Sequence, residues 1–170
     1  MEYQELIRKR YSVRAYEPRP VEEEKVARIL EAACLAPTAA NLQAFRIIVI
    51  QTKGRETELR RVYGREWFVQ APLVLAVCAL PGEGWKRKYD GWNAAEVDAT
   101  IATDHLILAA ADEGLGTCWI AAFDPKAARE VLSLPDNVVP VAFTPLGYPA
   151  DSPPPKKRRP VAVMCHVDRW

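Results

Sequence analysis

At 170 residues, 49% of them hydrophobic, the chain is long enough for one domain with a real core and too apolar to be disordered. Lys plus Arg number 23 against 22 Asp plus Glu, a net charge of +1. That balance argues against a dedicated nucleic-acid binder, which needs a strong positive field.

In chain order, Glu2 to Lys9 reads as a short helix, and Arg10-Tyr11-Ser12-Val13-Arg14 then alternates in character. Pro18 and Pro20 break the chain, and a helix starts near Val21 with Glu22, Glu23 and Glu24 suited to its positive end. Val26, Ile29, Leu30, Ala33 and Cys34 give it one apolar face, and Pro37 ends it. Thr38 to Gln43 is a loop of small and amide residues. Phe45–Gln51 and Leu73–Ala79 are buried strands, with a short helix between them over Thr57–Tyr63. Pro81 to Trp92 is a loop holding Trp85, Tyr89, Trp92 and a basic cluster.

The spine of the chain is the helix expected over Ala94–Glu113, with no Pro or Gly inside it. Asn93 suits its N-cap with Glu96 in a capping-box position, and Glu96, Thr100 and Thr103 form a polar stripe. Its second half is apolar on nearly every side, which predicts burial, and Gly114 and Gly116 stop it. Thr117–Ala121 then reads as a strand. Asp124-Pro125 is an N-cap with Pro at the first helical position, opening a helix to about Leu132. Val138–Thr144 is a strand, Pro145–Pro160 a loop, and Val161–Val167 a last extended segment. Helices mixed with continuous apolar strands imply a sheet covered on both faces, an α+β or α/β sandwich in a single domain over residues 1–170.

Several chemistries lack their residues. His105 and His166 are the only histidines and have no HExxH spacing, so no metal site is expected. Cys34, Cys78, Cys118 and Cys165 form no CxxC pair, and buried free thiols are the plain expectation. There is no GxSxG elbow and no P-loop, and Gly114-Leu115-Gly116 lacks the third glycine of a dinucleotide fingerprint. No side chain is assigned as nucleophile or acid–base catalyst, so difficult chemistry here would need a cofactor. The opening MEYQELIRKR has no apolar run behind its charges, and the spine helix is too polar to span a bilayer. A soluble, cytoplasmic protein without membrane or nucleic-acid partners is expected.

The best anion site is Arg10-x-Ser12-x-Arg14. In an extended segment these three residues face one side, so two guanidinium forks and a hydroxyl converge as a phosphate ester requires. A solvated basic turn is the plain alternative. Lys156-Lys157-Arg158-Arg159 could add cations to the same phosphate, or be an exposed charge run. Thr38, Asn41 and Gln43 could bond the edge of a heterocycle, against ordinary turn chemistry. Trp85, Tyr89 and Trp92 could form an aromatic lid, against packing at the core edge.

Together, RKRYSVRAYEPRPV, ILEAACLAPTAANLQAFRIIVI, HLILAAADEGLGTCWIAAFDP and the closing PLGYP…PKKRRP resemble the FMN-dependent nitroreductase family over nearly the full length. The resemblance implies an α+β fold with a mostly antiparallel central sheet flanked by helices. It implies a homodimer with two FMN sites at the subunit interface, and NAD(P)H as co-substrate. By position, Arg10, Tyr11 and Ser12 would hold the phosphate and ribityl chain, and Arg14 would sit near N1 and O2 of the flavin. Lys156 and Arg158 would complete the phosphate cradle. Pro37, Thr38, Ala39, Asn41 and Gln43 match a loop reaching the flavin from the partner subunit. Ile120, Ala121 and Ala122 match the strand end beside the ring, where a backbone N–H of Ala121 would face N5. The implied activity is ping-pong hydride transfer from NAD(P)H through N5 to nitroaromatics, quinones or similar small electron-poor acceptors. Two other readings stay open: a flavin enzyme of this fold with a specialised substrate, and a non-catalytic phosphate-binding module.

Overall fold

Leu73–Ala79 is seven apolar residues in a row, and the fold is layered around it. In the computed structural model, which describes residues 1–170, this strand (β2) pairs antiparallel with Phe45–Gln51 (β1) and with Val139–Gly147 (β4). Gly116–Thr117 (β3) closes the far edge against β4, in the order β1-β2-β4-β3. All of β2 is buried because the sheet is covered on both faces. Val74 and Ala76 point into a core with Leu59 and Val62 of α3 (Glu56–Val62), Phe68 and Val69 of α4 (Glu66–Gln70), and Ala127 and Ala128 of α6 (Pro125–Leu132). Leu73 and Leu75 point the other way, against Ile29 and Ala33 of α2 (Glu23–Cys34) and Leu106, Ile107 and Ala110 of α5 (Ala95–Asp112). Val77 and Ala79 meet Ala95, Ala99 and Ala102 of the same helix. The period of two along one strand thus serves two separate cores. This is the α+β, antiparallel arrangement expected.

α5 is the buried spine. Its inward positions are rich in alanine, which lets α2 and the sheet approach its backbone closely. The N-cap is Ala94, not Asn93; the Asn93 side chain, one residue earlier, accepts from the Ala95 N–H at 2.9 Å and donates to the Pro81 carbonyl at 2.8 Å, tying the helix start to the preceding loop. Glu96 is exposed and makes no capping-box bond. Thr103 does not belong to a polar stripe: it is fully buried, its hydroxyl donating to the Ala99 carbonyl at 2.7 Å. Asp124 caps α6 as expected, accepting from the Lys126 and Ala127 N–H groups.

Three further expectations need correction, and one element goes unforeseen. The strand expected over Thr117–Ala121 is only the two residues of β3, followed by a lone bridge between Ile120 and Phe143, because the chain turns away after Thr117. Val161–Val167 is not extended: Val161–Met164 forms a four-residue helix (α7) with no buried residue. Cys34 and Cys165 are exposed; Cys78 and Cys118 alone are buried, and burial pushes the Cys78 thiol up to about 11. The short helix α4 carries no sequence signal of its own, being five residues long. No helix is long and apolar enough to cross a membrane.

Candidate functional site

The chain after α1 (Tyr3–Lys9) runs extended along the edge of the sheet. Ser12 bridges Thr117 of β3, and the Val13 N–H donates to the Thr117 carbonyl at 2.9 Å. Val13 is buried against Gly116, where even a Cβ would lie 2.6 Å from a Val13 methyl. With Val13 turned inward, alternation turns its neighbours outward. Arg10, Ser12 and Arg14 accordingly face outward and, with Tyr11, line one wall of a cleft of about 170 Å³. The opposite wall is Pro154 to Arg158, from the other end of the chain. Both basic clusters therefore meet in one place.

The cleft is cationic, and its basic side chains are not ion-paired. None of Arg10, Arg14, Lys156 or Arg158 takes part in a salt bridge. Lys156 Nζ donates instead to the carbonyls of Ile7, at 3.0 Å, and Arg8, at the C-terminal end of α1. Partial desolvation, then the charges of Arg10 and Arg158, hold its ammonium below the usual lysine range. Five basic residues and two hydroxyl-bearing ones lining one small space, with no carboxylate among them, are a donor set suited to a phosphate ester.

The second group of candidate residues lies elsewhere on the protomer. After α2, Thr38 to Gln43 makes a tight turn in which Ala40, Asn41 and Gln43 adopt φ of 52°, 56° and 53°. Left-handed backbone at three non-glycine residues is strained and persists only where other contacts fix it. Thr38 Oγ1 accepts from the Gln43 N–H at 3.1 Å, and the Gln43 amide donates to the Asn41 carbonyl at 3.2 Å. The Ala39 N–H donates to Asp98 of α5 at 3.0 Å. Asp98 is buried, and its other carboxylate oxygen has no hydrogen-bond partner. None of Pro37, Thr38, Ala39, Asn41 or Gln43 lines the cationic cleft of its own chain. Ile120 is buried and exchanges two backbone hydrogen bonds with Phe143, while Ala121 and Ala122 are exposed beyond it.

Trp85, Tyr89 and Trp92 close over nothing within the chain. Tyr89 is 85% exposed, so packing at the core edge does not describe it. The loop is held by the Arg87–Asp90 ion pair, with the Arg87 guanidinium 5.1 Å from the Trp92 ring centre. Two residues near the candidate sites escape sequence reasoning. Asp98 is one of four acids on α5, with Glu96, Asp104 and Asp112; those three are exposed, and nothing in the sequence marks Asp98 as the buried one. Asp151 follows a Gly-Tyr-Pro-Ala stretch with nothing to mark it, yet it bonds to both Tyr11 and Arg14.

Comparison with known proteins finds the nitroreductase family over residues 7–65 and 55–148. An FMN reductase [NAD(P)H] of Bacillus subtilis is 32% identical over 175 residues, covering 94% of this chain and 70% of its own length. An NADH dehydrogenase of Thermus thermophilus is 32% identical over 183 residues, with 90% and 89% covered. The crystal structure of a nitroreductase family protein from Clostridium difficile superposes with a TM-score of 0.92 at 36% identity, over 100% of both chains.

Proposed function

The chain belongs to the nitroreductase family, and from that premise we propose that it is an FMN-dependent NAD(P)H oxidoreductase acting on small electron-poor acceptors. The observation that carries the cofactor is the cleft in which Arg10, Ser12 and Arg14 face Lys156 and Arg158, with none of these basic side chains ion-paired. Flavin mononucleotide bound there would supply two-electron redox chemistry, passing hydride from NAD(P)H to a nitroaromatic, quinone or similar acceptor in a ping-pong sequence.

The chain's own residues bind and polarise. Arg10, Lys156 and Arg158 would hold the phosphate by charge-assisted hydrogen bonds and Ser12 would add a neutral one, while the Tyr11 hydroxyl is spent on Asp151. Arg14 would bring a fixed positive charge to the ring and there stabilise negative charge that develops on reduction. Ala121 and Ala122 would offer backbone groups just past Ile120, whose own N–H and carbonyl are taken up by Phe143; their small exposed side chains leave the main chain open to a ligand. No side chain need act as nucleophile, and a proton for the acceptor can come from solvent.

The reading includes a homodimer. The strained Pro37–Gln43 turn lies off its own cationic cleft, as a loop that serves a second copy's flavin would. Leu35, Leu42 and Val97 are exposed around that turn and its supporting helix, as residues covered by a second copy would be.

The test is an absorbance spectrum of the purified protein before and after anaerobic addition of NADH or NADPH. A bound flavin spectrum that bleaches with reductant and returns with a nitroaromatic or quinone is expected. A colourless protein that takes up no added FMN overturns the proposal.

A further inference from the structure

The cationic cleft joins two segments more than a hundred residues apart, and packing does not hold them together. Residues 152–158 have no regular structure, and every side chain in them is exposed. Polar contacts must therefore set how far Lys156 and Arg158 lie from Arg10 and Arg14. Upstream, the Glu17 N–H donates to the Tyr148 carbonyl and the Ala150 N–H to the Ala15 carbonyl, each at 2.9 Å. Beyond Ala150 these backbone rungs stop, and Asp151 takes over. One of its carboxylate oxygens accepts from the Arg14 N–H at 2.8 Å, and the other from the Tyr11 hydroxyl at 3.1 Å. Its carbonyl oxygen accepts from the same hydroxyl at 2.9 Å. Burial, and next Asp151 itself, push the Tyr11 phenol up to about 12, so at neutral pH it stays a donor. Asp151 is half-buried and does not line the cleft.

We propose that Asp151 is a positioning residue for the flavin phosphate: it latches Tyr11 and Arg14 to the segment carrying Lys156 and Arg158, and so sets the spacing of the cation cradle. This rests on the reading that the cleft holds that phosphate. The proposal makes a prediction opposite in sign to simple electrostatics. Removing a negative charge from beside a cationic cleft strengthens its pull on an anion. Removing a latch lets the two walls separate and weakens binding.

The experiment uses the full chain with FMN and with riboflavin, which lacks the phosphate, and reads both dissociation constants by flavin fluorescence alongside the melting temperature. The ratio of the two affinities isolates the phosphate. For Asp151→Ala we expect FMN affinity to fall about tenfold, the scale of one or two lost charge-assisted hydrogen bonds, with riboflavin affinity within about twofold of wild type. Asp151→Asn retains an acceptor for the Arg14 N–H and should recover part of that loss. A general loosening of the fold would not spare riboflavin, nor be rescued by asparagine. A wild-type or larger affinity ratio in both variants overturns the latch. Should Asp151→Ala fail to fold, Tyr11→Phe removes only the hydroxyl that reaches Asp151; a reduced ratio then supports the latch, and an unchanged one overturns it. If wild-type protein binds neither flavin, or Arg10→Ala leaves the ratio untouched, the phosphate reading itself falls and this proposal with it.

Discussion

Lys156 meets two opposing demands. Its ammonium is held by two carbonyls at the end of α1, yet it sits beside Arg10 and Arg158 with no anion in reach. A phosphate dianion would offset both the crowding and the partial desolvation. The sign of the pH dependence follows. A lysine whose protonated form is disfavoured loses its proton below the ordinary 10.5, and above that point phosphate binding must first take a proton up. FMN affinity should therefore fall as pH rises through the alkaline range below 10.5, while riboflavin affinity stays flatter. Lys156→Arg, which stays charged throughout, should remove the difference between the two curves; titrations at several pH values check this. At this scale the sequence is legible where chemistry depends on residue type and short spacing. Arg10, Ser12 and Arg14 could be placed on one side because alternation is local. Asp151 could not be singled out, because its role depends on partners far away along the chain.

At the scale of elements, the site depends on a glycine. Gly116 of β3 lets Val13 lie flat on the sheet, and Val13 in turn aims Ser12 and Arg14 outward. The nearest Val13 atoms lie 2.6 to 3.0 Å from where a Cβ would stand, so the arm itself must shift to make room. Gly116→Ala should cost about 1–3 kcal/mol, as overpacking of a buried contact does, and should also weaken FMN binding. Val13→Ala alone should destabilise by loss of burial, but combined with Gly116→Ala it should recover part of both losses. Chemical denaturation and FMN titration of the two single variants and the double variant give the coupling; strictly additive effects would place the glycine's importance elsewhere. The sequence marks Gly116 only as a helix stop, since the residue that needs the space is Val13, on a distant segment. The long elements are legible for the opposite reason. β1 and β2 match residue for residue, as does α6, because apolar period and an Asp-Pro start are local signals. The two-residue β3 and five-residue α4 are too short to carry a period, and tertiary pairing decides them.

For the molecule as a whole, the sequence tells which residues are apolar but not which of them another chain would cover. The segment Val161–Val167 has strand-forming composition, yet Val161–Met164 closes into a short helix with no buried residue. Val161, Val163, Met164, Val167 and Trp170 are all exposed there, as are Leu35 and Leu42 next to the strained turn. Contiguous exposed apolar surface of this kind marks association sites. A stable dimer needs at least about 1,000 Å² of buried surface, and these two regions together with the outer face of α5 are the candidates for it. Sedimentation equilibrium should therefore give twice the chain mass of 19.1 kDa, with one flavin bound per chain. Leu35→Asp, which puts a charge on the 76% exposed side chain at the end of α2, leaves the cationic cleft untouched but should shift the equilibrium toward monomer, since burying an unpaired carboxylate is costly. If the Pro37–Gln43 turn serves the partner's flavin, the same variant should lose flavin in step with the dimer. A monomer at micromolar concentration that still carries a full complement of flavin would mean that each chain builds its site alone.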